Sequence, residues 1–160
     1  MNHAVFDTEI IGADKPVFLV CVRILETGAK FALWHHRKGH KQAMLDLINR
    51  SDLTWVSFNG IKFDAPLIAA WLADRTVMEI KQLAGQMIEN RLMPWDVYGM
   101  LGVQNLPIDH IDLFEVAPGP MISLKTYEGR MHMKRMQDLP FDHTKDLTPK
   151  ECKLLQEYCF

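Results

Sequence analysis

The chain has 160 residues, a formal net charge of −2, 48% hydrophobic and 24% charged residues. That balance predicts one compact domain with a substantial core, and it lacks the strongly basic footprint of a protein that grips duplex nucleic acid. No apolar run approaches the roughly 20 residues that span a bilayer, no basic stretch followed by an apolar segment opens the chain, and three cysteines without a C-x-x-C spacing (Cys21, Cys152, Cys159) read as reduced thiols of a cytoplasmic protein.

In chain order, residues 4–9 predict a first strand and residues 17–25, rich in Val, Ile and Phe, a second. Thr27-Gly28 turns into a third strand over 30–35. Residues 41–50 carry apolar pairs at helical spacing, and 53–58 predict a fourth strand. Asn59-Gly60 is a strong turn signal, because both residues tolerate positive φ. A helix opens near Phe63 and runs over 64–72, and a long amphipathic helix is expected over 76–91. Residues 93–107, interrupted by Pro94, Gly99, Gly102 and Pro107, read as irregular. Residues 108–114 suggest a short fifth strand, Pro118-Gly119-Pro120 a loop, Ser123 the cap of a helix reaching about Met133, and 137–146 a loop. Thr148-Pro149-Lys150-Glu151 is a capping box with proline at the first helical position. The helix that follows is expected to carry Leu154, Leu155 and Tyr158 on one face. With no stop signal after it, the last helix reads as cut within its length. Three sequential strands, then strand, helix and strand with helical cover, predict an α/β fold with a mixed central sheet.

The chemistry concentrates in two places. Asp7 and Glu9 lie two apart on a strand, so both carboxylates project from one face of an apolar element. Two adjacent buried anions call for a positive partner, and hard oxygen ligands suit Mg²⁺ or Mn²⁺. A short acidic pair can equally be solvated. Asp64, at the start of its helix, is either a helix cap or a third carboxylate of the same site.

Asp7-x-Glu9 followed by Asn59-Gly60-x-x-Phe63-Asp64 resembles the first two motifs of the DEDD 3′–5′ exonucleases, a family on the ribonuclease H-like fold that includes proofreading domains of DNA polymerases. Tyr158 resembles the tyrosine of the family's third motif, Tyr-x-x-x-Asp, whose aspartate would fall two residues beyond Phe160. The resemblance implies a ribonuclease H-like sheet of about five strands flanked by helices, with residues 1–160 forming a single exonuclease domain. It implies two divalent cations held by Asp7, Glu9, Asp64 and that further aspartate, with Tyr158 orienting the attacking water. Ile10 and Ile11 would wedge against the terminal base, and Asn59 and Phe63 would contact the penultimate nucleotide. The implied substrate is the 3′ end of single-stranded or frayed DNA, the implied partner a DNA polymerase domain or subunit, and no membrane is involved.

Three alternatives stay open: an RNA-trimming enzyme of the same fold; another two-metal nuclease with its fourth acid elsewhere, Asp112 being the first suspect; and a catalytically impaired binding or polymerase accessory module. His35-His36-Arg37-Lys38-Gly39-His40-Lys41 reads first as a solvated turn. Lys125, Arg130, Lys134 and Arg135 read as a solvated basic face that could also steer a nucleic-acid strand.

Overall fold

A computed structural model describes residues 1–116, 122–133 and 139–160. Its centre is a five-stranded sheet in the order β3-β2-β1-β4-β5. The strands are β1 (Asn2–Ile11), β2 (Val17–Ile24), β3 (Lys30–Trp34), β4 (Leu53–Ser57) and β5 (Asp109–Asp112). β1, β2 and β3 form an antiparallel meander, whereas β4 runs parallel to β1 and β5 parallel to β4. This mixed α/β sheet is the one expected of a ribonuclease H-like fold.

Strand alternation divides the core. Ala4, Phe6, Phe18, Val20, Val22 and Ile24 point to one face and pack on α1 (His40–Ile48), α2 (Asp64–Leu72) and α3 (Val77–Glu89). Ile11, Leu19, Cys21 and Trp34 point to the other and pack under α7 (Pro149–Tyr158), whose Leu155 is fully buried. Burying a leucine contributes about 2 kcal/mol. The start of α7 is held by the expected capping box: Thr148 Oγ1 accepts from the Glu151 N–H, and the Glu151 carboxylate accepts from the Thr148 N–H. Leu154 departs from expectation and is exposed; the inward face of α7 is Cys152, Leu155, Tyr158 and Cys159.

Residues 93–107 are not irregular. They contain α4 (Pro94–Leu101), which buries Val97 and Tyr98. Pro94 occupies its first turn and Gly102, at φ 66°, closes it. Proline inside the start and glycine past the end delimit a helix rather than break one. After β5 come the single turn α5 (Leu113–Val116) and α6 (Leu124–Arg130), the latter capped by Ser123. The Pro118-Gly119-Pro120 loop, Lys134, Arg135 and the first residues of the 137–146 loop lie outside the described residues.

Candidate metal centre

β1 is longer than the strand it parallels. Its pairing with β4 stops at Val5↔Val56, while its pairing with β2 continues to Ile11↔Val17. Asp7 and Glu9 therefore sit beyond the point where β4 leaves the sheet, beside the turn that returns the chain into α2. Clefts of this kind, outside the carboxyl ends of parallel strands, are where α/β proteins bind ligands.

The turn delivers Asp64 to the same corner. Asn59 adopts φ 63°, as an Asn-Gly turn allows, but Gly60 is not in the positive-φ region. Its requirement is space: a Cβ at position 60 would overlap Ser57 Oγ and lie 3.3 Å from Asp64 Oδ2. Asp64 is the first residue of α2 and makes no cap; the N-cap position is Phe63, without a side-chain hydrogen bond. Instead Asp64 Oδ1 accepts from the Thr8 N–H at 3.0 Å and from the Thr8 hydroxyl at 2.5 Å. Thr8, between the two acids of β1, is thus the link that ties Asp64 to them. Alternation turns its side chain toward α2 while Asp7 and Glu9 face the other way.

The three carboxylates feel one another. Burial, then the charge of Asp7, pushes Asp64 up to about 7, against the opposing Thr8 hydrogen bonds. Glu9 is likewise pushed up to about 7, by burial, then Asp7, then Asp64. Desolvation also raises Asp7, although its side chain is exposed at the mouth of the site and solvent access weakens that effect. Among the described residues no lysine, arginine or histidine forms an ion pair with any of the three. Clustered acids without a counter-charge, all hard oxygen donors, suit a divalent cation in their chemistry. Their spacing is open: among the described residues, no three His, Cys, Asp or Glu side chains already converge as a metal-binding group. Ion binding would require the carboxylates to draw together.

Two cavities flank the site. One, of about 390 Å³, lies between β1 and α3 and is lined by Glu9, Ile10, Phe63, Ala84, Gly85 and Ile88 among others. Ile10 and Phe63 thus share a pocket beside Glu9. Ile11 does not join them: it has no exposed surface and packs under α7, so its place in the base-contacting wedge is withdrawn. Side chains one apart on a strand face opposite ways. The other cavity, of about 220 Å³, is lined by Asp7, Arg23, Cys21, Cys159 and Phe160. The end of α7 accordingly reaches Asp7, and a hydrogen bond with the Cys21 thiol, together with burial, pushes the Cys159 thiol up. Tyr158 lies in the last turn of α7, half-buried against the Leu155 cluster.

Asp112 is not a free fourth acid. It is 2% exposed, and its oxygens accept the backbone N–H groups of Asn59 (2.7 Å), Ile61 (2.9 Å) and Phe114 (3.0 Å). The histidine-rich turn is structural: His40 Nδ1 accepts from the Trp34 N–H, His35 Nε2 contacts the Arg75 carbonyl, and Lys41 pairs with Asp74. Sequence reasoning missed Thr8, the Asp112 acceptor set and the α3 wall of the larger cavity. A polar residue at a core-facing strand position was the available signal for Thr8; contacts to Asp112 across some fifty residues leave none.

No family model matches this chain, and neither the curated proteins nor the solved structures compared with it include a match. Among the described residues no helix is long and apolar enough to cross a membrane.

Proposed function

We propose that this chain is a metal-dependent 3′–5′ exonuclease domain that removes nucleotides from the 3′ end of single-stranded or frayed DNA, in association with a DNA polymerase domain or subunit. One observation carries the reading. Asp7 and Glu9 of β1 and Asp64 of α2 lie close enough at the corner where β4 leaves β1 to raise one another's pKa values, and none has a basic partner among the described residues. Asp7, Glu9 and Asp64 would hold Mg²⁺ or Mn²⁺. Bound ions of this kind activate a water and stabilise charge on the attacking and leaving oxygens of a phosphodiester.

The remaining work falls to the chain. Thr8 holds Asp64 in register with the β1 acids. The cavity of about 390 Å³ receives the terminal nucleotide, with Ile10 and Phe63 against its base and Glu9 toward its sugar. Asn59, on the turn above, lies on the path of the penultimate nucleotide. Tyr158, at the end of α7, orients the attacking water. A strand with a free 3′ end is preferred over a blunt duplex, because unpairing the terminal bases costs a few kcal/mol. Calorimetric titration with Mn²⁺ tests the site: wild type binds, Asp7→Asn does not, and unchanged affinity in Asp7→Asn removes Asp7 from it.

A further inference from the structure

The direction of Asp64 is set by the short turn that precedes it, and β5 holds that turn from below. Asp112, buried at the end of β5, gathers the N–H groups of Asn59 and Ile61 on separate oxygens and that of Phe114 beside the first. Bonds from backbone N–H groups to a carboxylate are about twice as strong as neutral ones. A second tie runs alongside. The Gly60 N–H donates to Ser57 Oγ at 3.1 Å, and Ser57 Oγ lies 2.8 Å from His110 Nε2. Burial lowers the His110 pKa against the pull of Asp112, Glu115 and Asp109, which favours the neutral ring; in the tautomer that carries its proton on Nδ1, Nε2 accepts the Ser57 proton and leaves the hydroxyl oxygen to the Gly60 N–H. Three successive N–H groups, at 59, 60 and 61, are thus fixed from β4 and β5. Asp64 itself has Thr8 as its side-chain hydrogen-bond partner. A slack turn would let its carboxylate swing toward solvent or fold back to cap α2.

We infer that Asp112 is a positioning residue of the metal centre: through the 59–61 turn it aims Asp64 at Thr8 and at the β1 acids. The inference rests on the exonuclease reading for its consequence, but not for its geometry, and the experiment separates the two. The perturbation is Asp112→Asn, which replaces one accepting oxygen by an NH₂ group and strands at least one turn N–H. The control is Asp109→Asn on the same strand, where the carboxylate accepts from Thr54 Oγ1 at 2.9 Å, away from the turn.

In metal-free protein, the Thr8 amide resonance and its hydrogen exchange report the Thr8–Asp64 bond. In titrations, the Mn²⁺ dissociation constant reports the site. Asp112→Asn is expected to move the Thr8 resonance, speed its exchange and weaken Mn²⁺ about tenfold or more, the usual effect of losing an outer support of a metal ligand. Asp109→Asn is expected to change neither. Should Asp112→Asn fail to fold, Ser57→Ala cuts the second tie and is read in the same way, with a smaller change. An unmoved Thr8 amide with Mn²⁺ affinity within twofold of wild type, even with lowered stability, overturns the inference. In a wild-type protein that binds no Mn²⁺ the metal reading falls, and the Thr8 amide alone supports or overturns the positioning role.

Discussion

Replacing Asp64 by asparagine is expected to stabilise the metal-free protein at pH 8, with little gain at pH 4.5. The carboxyl is 5% exposed, and its pKa stands at about 7 against an ordinary 3.8. Because the folded value is the higher one, the native state keeps a proton that the unfolded chain releases. The contribution is fully favourable below about pH 4 and is lost as pH rises through 7. Moving the carboxyl from 3.8 to about 7 corresponds to about 4 kcal/mol of destabilisation once the group is ionised. Asparagine carries no charge at any pH and keeps an oxygen for both Thr8 donors, but its NH₂ group needs a new partner, which offsets part of the gain. The net expectation is about 2–3 kcal/mol at pH 8. Urea denaturation of both proteins at the two pH values, in EDTA, measures it. Adding Mn²⁺ at a hundred times its dissociation constant then stabilises wild type by about 2.7 kcal/mol and leaves the variant unmoved, reversing much of the difference. A gain independent of pH, or a loss at pH 8, refutes the argument that buried like charges dominate this corner.

Gly60→Ala is expected to lower stability by about 1–3 kcal/mol and to weaken Mn²⁺ binding, because its Cβ would overlap Ser57 and press toward Asp64; thermal melts with and without Mn²⁺ measure both. Gly85→Leu tests the nucleotide pocket. Apart from α3's own backbone and chain neighbours, nothing lies within 4 Å of a Cβ at position 85, so the fold tolerates the change and α3 gains up to about 1 kcal/mol, whereas the cavity beside Glu9 is narrowed. Weaker binding of a 3′-end oligonucleotide with unchanged Mn²⁺ affinity is the expected pattern, and unchanged oligonucleotide binding places the base elsewhere. Thr148→Ala removes the α7 cap and is expected to lower stability by about 1 kcal/mol in chemical denaturation.

What could be read from the sequence was what short-range rules control. The two-residue period put Asp7 and Glu9 on one face, and the Asn-Gly turn placed Asp64 at a helix start. The same period puts Ile11 on the acids' face, but only the packing of α7 over that face, which no local pattern specifies, buries it away from the base pocket. Helix α4 is hidden from a residue-by-residue reading because Pro94 and Gly102 each look like a breaker, although together they mark a beginning and an end. Gly60 was legible as a turn residue for the wrong reason: its need is room beside Ser57, which depends on how β4 and α2 approach. The Asp112 bonds were beyond reach, because they join residues about fifty positions apart through β4–β5 pairing that no local pattern specifies.

The most direct test of the central claim is a time course with a 5′-labelled single-stranded DNA in Mg²⁺ or Mn²⁺, run beside its circular form. The account predicts stepwise shortening of the linear strand from its 3′ end, loss of that activity in EDTA and in Asp7→Asn and Asp64→Asn, and an untouched circle. Equal cutting of circle and linear strand, or shortening that persists in both variants, would contradict it.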